Sequence, residues 1–234
     1  EIAQCLVGSE MCIRDSYRPH GEQTFAEGVQ NSCNPVFMTV AERLGVAKMY
    51  DYIEAFGFME KTGIDLPGEA KGIVYNEKNV GPVELATMSF GQSISVTPMQ
   101  LIRAISTIAN DGKMMTPYIV DHTENDAGKT VKSYSPKKIG NIIDKKTAGT
   151  VKKLMKAVVS EGTGTALNGF SYKAAGKTGS AEFNSKGNSH AWFVGFAPAD
   201  KPKIAVSIVV EAAGTGNRYA VPIAKAMFSE YLGN

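Results

Sequence analysis

Lys177, Thr178 and Ser180 fall within a run of small residues, Ala174-Ala-Gly-Lys-Thr-Gly-Ser-Ala-Glu182. An ammonium and two short hydroxyls at the lip of a sheet can hold an anion. Gly176 and Gly179 let a ligand come close to the backbone there. Gly176-Lys-Thr178 is also the tail of a phosphate-binding loop. That motif needs a glycine five positions before Gly176, where Ser171 stands, and a helix after Thr178, where a polar run with Asn and Gly follows. Both requirements fail. Carboxylate recognition and an ordinary turn beside a surface lysine remain open.

Ser32 and Asn34 form a second group, within Asn31-Ser-Cys-Asn-Pro35. A hydroxyl two positions from a carboxamide can relay a proton and hold a peptide group. The same residues can equally cap a helix, because Asn followed by Pro is a common helix start. Neither group decides the chemistry until both stand in one place.

The elements that must position them can be read from period and punctuation. Helices are predicted over 25–30, 36–44, 48–56, 82–90, 98–110, 145–160 and 222–231, several opened by proline or a capping threonine and stopped by glycine. Within 98–110, Leu101, Ala104, Ile105 and Ile108 mark a buried face. Lys152, Lys153 and Lys156 read as the solvated face of the next helix. Residues 62–69 read as an ordered loop, and 118–122 with 130–134 as an exposed hairpin. Three strands are predicted over 170–178, 190–197 and 203–211. Their links are too short for helical crossovers, so they run antiparallel. The fold class is α+β.

Composition narrows the partners. The 234 residues are 43% hydrophobic with a formal net charge of +2, which is globular material without the electrostatic footprint of a nucleic-acid binder. No apolar run is long enough to cross a bilayer. Cys5, Cys12 and Cys33 fit neither a disulfide framework nor a zinc site, and His20, His122 and His190 lack ligand spacing. No metal and no cofactor is expected. Residues 1–16 hold two of the cysteines and show no clear period, so they read as a non-native segment, with one domain over 17–234.

Six spaced motifs carry a resemblance: Asn31-Ser-Cys-Asn-Pro-Val-Phe37; Thr62-Gly-Ile-Asp-Leu-Pro-Gly-Glu69; Ser89-Phe-Gly-Gln92 with Val96-Thr-Pro98; Gly162-Thr-Gly164; Gly176-Lys-Thr-Gly179; and His190-Ala-Trp-Phe-Val-Gly-Phe-Ala-Pro198. From about Tyr17 to the C-terminus the chain resembles the transpeptidase domain of class B penicillin-binding proteins, of the septal and spore-cortex type. The resemblance implies the penicillin-binding-protein and serine β-lactamase fold, an antiparallel sheet flanked by helices, here incomplete at the N-terminal side. The implied activity is peptidoglycan D,D-transpeptidation through a serine acyl-enzyme; the alternatives are a serine β-lactamase-like hydrolase and a non-catalytic β-lactam sensor. Ser32 would relay a proton, Asn34 would hold the donor peptide's amide, and Lys177 would add positive potential and hydrogen-bond Ser32. Thr178 and Ser180, with Gly179 between them, would receive the terminal carboxylate of a D-alanyl-D-alanine stem or of a β-lactam. The Ser180 N–H would be one oxyanion donor. Asp65, Gln92 and Trp192 are assigned to the scaffold.

Implied partners are peptidoglycan stem peptides, β-lactams and cell-wall synthesis or divisome proteins, with no nucleic acid. The implied location is the extracytoplasmic face of the cell membrane, through an anchor outside this chain. The family's nucleophile lies in a Ser-x-x-Lys several dozen residues before the Ser-x-Asn motif, and only 17–31 precede Ser32 here. The one literal Ser-x-x-Lys, Ser135-Pro-Lys-Lys138, follows Ser32 in a charged segment where proline opposes the required helical turn. The chain alone is expected to form no acyl-enzyme. Without the family's earlier helix and strands it is also expected to be marginally stable and prone to aggregate.

Overall fold

The computed structural model describes residues 23–184 and 187–233, so the boundary expected near residue 16 lies outside the described residues. The described residues open with α1 (Phe25–Asn31), α2 (Asn34–Leu44) and α3 (Val46–Ala55). Thr24 and Glu27 open α1 as a reciprocal capping box: the Glu27 carboxylate accepts the Thr24 amide at 2.7 Å, and the Thr24 hydroxyl accepts the Glu27 amide at 3.3 Å. Gly28 lets α1 and α2 cross tightly, since a Cβ there would lie 2.5 Å from Val36.

The short pair β1 (Ile73–Val74) and β2 (Ile94–Ser95) brackets α4 (Pro82–Ser89) and leads into α5 (Pro98–Ala109). Thr97 and Gln100 close a second capping box at the start of α5. Only Ala104 and Ile105 of the predicted apolar face are fully buried; Leu101 and Ile108 are half-buried. The rest of the buried surface is polar. Gln100 donates to the carbonyls of Phe58 at 2.9 Å and Glu60 at 2.8 Å, and Arg103 donates to that of Gly57 at 2.8 Å. These side chains satisfy loop carbonyls that pack against the helix, which is why polar residues occupy core positions.

An arm follows. In it β3 (Lys113–Thr116) pairs with β6 (Lys137–Asn141), and β4 (His122–Glu124) pairs with β5 (Thr130–Ser133). The expected hairpin forms, but its first strand lies at His122–Glu124 rather than over 118–122; the β3–β6 pair has no counterpart among the expected elements. Asp65 fastens the 62–69 loop to this arm by accepting the amides of Ile119 at 2.9 Å and Val120 at 2.8 Å.

Asp144 caps α6 (Lys145–Ser160), accepting the Thr147 amide at 2.8 Å. Its lysine face is not simply solvated, because Lys152 is largely buried and paired with Asp111 at 2.7 Å.

The main sheet consists of β7 (Ala175–Glu182), β8 (Ser189–Ala197) and β9 (Ile204–Val210) in that order, both pairs antiparallel, as expected. Against one face packs α7 (Gly216–Leu232), which buries Ala220, Val221, Ala224 and Phe228 on Phe193, Val206 and Ile208. The other face packs on α5 and α6, where Ile105 and Met155 meet Ala175 and Phe196. Cover on both faces explains why both alternating sets of β9 are largely apolar.

Two further elements depart from expectation by more than two residues. The first strand begins at Ala175 rather than near residue 170, and the stacked rings of Phe170 and Tyr172 pack beside the core instead. The last helix begins at Gly216, so Pro222 lies inside it and not at its start.

Candidate functional site

Ser32 is placed by the end of α1. The Cys33 amide reaches the Gly28 carbonyl at 2.9 Å and the Ser32 amide reaches that of Val29 at 3.3 Å. This is a Schellman closure, and it requires a left-handed residue at position 32. Glycine usually fills that position, but here it is serine, with φ 57° and ψ 44°. The turn directs a half-buried hydroxyl away from the helix and starts α2 two residues later. Asn34 lies in the first turn of α2, half-buried, with no side-chain hydrogen bond among the described residues.

Lys177 reaches the same point from the sheet. Its Nζ donates to Ser32 Oγ at 2.6 Å and to the Thr178 carbonyl at 2.9 Å. Among the described residues no carboxylate pairs with it, and burial pushes its pKa down to about 8. A substantial neutral fraction is therefore present just above neutral pH, with the amine held against a hydroxyl.

The period of the strand separates the remaining residues. Lys177 and Gly179 share the face turned to α5 and α6; Thr178 and Ser180 share the face turned to α7. Thr178 is only 8% exposed, and its hydroxyl shares a hydrogen bond of 2.6 Å with that of Thr163. The exposed Ser180 accepts the Gly216 amide at 3.3 Å, at the N-terminus of α7. Because the Thr178 carbonyl is turned out to Lys177, ladder alternation turns the Ser180 N–H to the same open edge. The structure thus brings Ser32 and Lys177 into contact and leaves a backbone donor on the edge beside them. It does not bring the Thr178 and Ser180 hydroxyls onto the lysine's face.

The Gly162-Thr163-Gly164 turn, quoted above as a motif without a role, belongs to this site. The Thr163 amide donates to the Gln30 carbonyl at 3.2 Å, and Gln30 Nε2 donates to Glu161 at 3.3 Å. A Cβ on Gly162 would lie 2.4 Å from the Gln30 carbonyl oxygen, so only glycine permits that approach. The signal available in the sequence was a threonine flanked by two glycines just after a helix.

Other candidates lie elsewhere. Ser135 and Lys138 are exposed at the start of β6, with no helical turn between them. A concavity of about 430 Å³ lined by Tyr50, Asp51, Glu54, Glu60 and Glu77 shares no residue with the groove. Among the described residues no three His, Cys, Asp or Glu side chains converge as metal ligands, and no helix is long and apolar enough to cross a membrane.

Comparison with known proteins gives a consistent result. Residues 8–230 match the penicillin-binding protein transpeptidase domain. Stage V sporulation protein D of Bacillus subtilis is 44% identical over 214 residues, covering 87% of this chain and 33% of that protein. The peptidoglycan D,D-transpeptidase PbpA of Mycolicibacterium smegmatis is 32% identical over 88% of this chain and 43% of its own length. The chain therefore spans well under half of these relatives. Among solved structures, the D,D-transpeptidase domain of a peptidoglycan glycosyltransferase from Eggerthella lenta superposes with a TM-score of 0.80 at 31% identity, covering 92% of this chain and 55% of that one. The imipenem acyl-enzyme of penicillin-binding protein A from M. tuberculosis gives 0.82 at 26% identity, covering 92% and 48%.

Proposed function

The chain belongs to the penicillin-binding-protein transpeptidase family, and from that premise we propose that its groove is the proton-transfer and recognition side of a serine acyl-transfer site that cross-links peptidoglycan. The observation that carries this reading is the 2.6 Å contact between Lys177 Nζ and Ser32 Oγ. In the proposed reaction a serine outside the motifs present here attacks the penultimate D-Ala carbonyl of a stem peptide. That serine gives its proton to the lysine of its own Ser-x-x-Lys motif, and Ser32 relays it from that lysine to the departing D-Ala amine. Lys177, with its lowered proton affinity, holds the Ser32 hydroxyl in line. A neighbouring stem's amine then resolves the acyl-enzyme.

The open edge of β7 supports the rest. The Ser180 N–H is available there for a developing oxyanion, and the Asn34 carboxamide, with no hydrogen bond among the described residues, can hold the donor amide. The terminal carboxylate is received near the Ser180 hydroxyl, where the N-terminus of α7 adds a favourable dipole, with Thr178 bracing the strand behind it. β-Lactams enter as mimics of the same D-alanyl-D-alanine end. The setting is the extracytoplasmic face of the cell membrane, alongside cell-wall synthesis proteins, with residues 17–234 forming the domain.

Carboxylate recognition can be tested without turnover. A peptide ending in D-alanyl-D-alanine should perturb the amide resonances of β7 in heteronuclear NMR spectra, and its C-terminal amide should not. Equal perturbation by the two peptides would refute carboxylate recognition at this edge.

A further inference from the structure

We propose that Thr163 is a positioning residue that holds the two walls of the groove in register, its amide gripping the helix that ends in Ser32 and its hydroxyl gripping the strand that carries Lys177.

Three observations converge on it. Gln30 lies in the last turn of α1, where backbone carbonyls have no partner within the helix; Thr163 N–H supplies one at 3.2 Å, two residues before Ser32. On the other side, Thr178 is almost fully buried and its hydroxyl finds its partner in Thr163 at 2.6 Å, one residue after Lys177. The glycines on both sides keep the turn close: a Cβ at 162 would press on Gln30, and one at 164 would lie 3.2 Å from the Val158 carbonyl. Thr163 thus closes a short loop of contacts running Ser32, Gln30, Thr163, Thr178, Lys177 and back to Ser32. Loss of its hydroxyl frees the strand while leaving the helix-side bond in place. The lysine then gains water and a longer path to the serine.

Thr163 bonds to Gln30 and Thr178 rather than to Ser32 or Lys177, so its effect is read through Lys177. The proposal rests on the acyl-transfer reading only for why this spacing matters, and the test reads the lysine rather than catalysis. Competitive acetylation of amines with isotope-coded acetic anhydride, followed by mass spectrometry of the Lys177 peptide across a pH series, reports the midpoint of that amine. The wild-type midpoint is expected at about 8. Thr163→Val should raise it, with a roughly threefold fall in the neutral fraction at a pH just below that midpoint, and Thr163→Ser should restore it. Thr107→Val is the control for general loss of stability, since it removes a buried hydroxyl bonded to the Arg103 carbonyl at 2.8 Å. It should lower thermal stability and leave the Lys177 midpoint in place.

An unchanged midpoint in Thr163→Val, or an equal change in Thr107→Val, overturns the proposal. If Thr163→Val does not fold, Thr178→Val removes the same hydrogen bond from the strand side and should move the midpoint in the same direction. An unmoved midpoint in that variant also overturns it.

Discussion

Lys177 Nζ stands 2.6 Å from Ser32 Oγ although 145 residues separate the two in sequence. The fold brings an ammonium into a buried place with no counter-charge among the described residues, and that has a measurable cost. Its proton is held less tightly in the folded chain, with a pKa of about 8, than in the unfolded chain, near 10.4. Between those values the unfolded state binds more protons, so stability against unfolding should rise with pH across that window. Below the window the full penalty of roughly 3 kcal/mol applies. Lys177→Met should be more stable than wild type near neutral pH and should lose the rise; urea denaturation at the two ends of the window measures both. A flat wild-type profile would show that the lysine is better hydrated than this packing allows.

Ser32 occupies a left-handed position that favours glycine. Ser32→Ala and Ser32→Gly both remove the hydroxyl, so their difference isolates the backbone. Ser32→Gly should be the more stable of the two by about 1 kcal/mol. Equal stabilities by thermal melting would mean that α1 ends differently in solution.

Gly176 and Gly179 both lie on β7, but only one is crowded. A Cβ at 176 would fall 2.3 Å from the Phe193 ring and 2.8 Å from the Val194 carbonyl, whereas among the described residues one at 179 meets only Trp192, at 3.3 Å. Gly176→Ala should cost about 3 kcal/mol and Gly179→Ala less than about 1. Chemical denaturation of the pair checks the ranking.

Incubation with a fluorescent penicillin should leave no covalent band on this chain in a denaturing gel, because its single Ser-x-x-Lys lies on an exposed segment away from Lys177. A band that survives denaturation, mapped to any serine, would locate a nucleophile that the motifs do not reveal.

Much of this arrangement was legible in the chain before its folding. The amphipathic stripe at 145–160, the threonine cap before Pro98 and the apolar run at 203–211 each carry local signals that packing reinforces. The exact bounds of β7 were not. Aromatic residues at 170–173 look more strand-like than Ala175-Gly-Lys-Thr-Gly179, and the reason for small residues appears only when the Phe193 ring is seen lying over Gly176. Pro222 suggested a helix start because proline suits a first turn, yet α7 is already underway at Gly216, where a side chain would strike the Trp192 carbonyl. Gln100 and Arg103 were missed because their burial depends on loop carbonyls 40 or more residues away. Of the site, the residue types and their order could be read. Which face of β7 each hydroxyl takes, and the part of Thr163, depend on long-range contacts with no local trace.

The fully exposed turn between β4 and β5 has one more consequence. A protease cut at Lys129 divides the polypeptide into a front piece bearing Ser32 and a rear piece bearing Lys177, with Ile105 of the front seated on Ala175 and Phe196 of the rear. The groove is thereby split between two pieces, and the lowered lysine pKa should return only when separately made pieces reassociate, since the Ser32 wall and the Lys177 strand belong to different pieces.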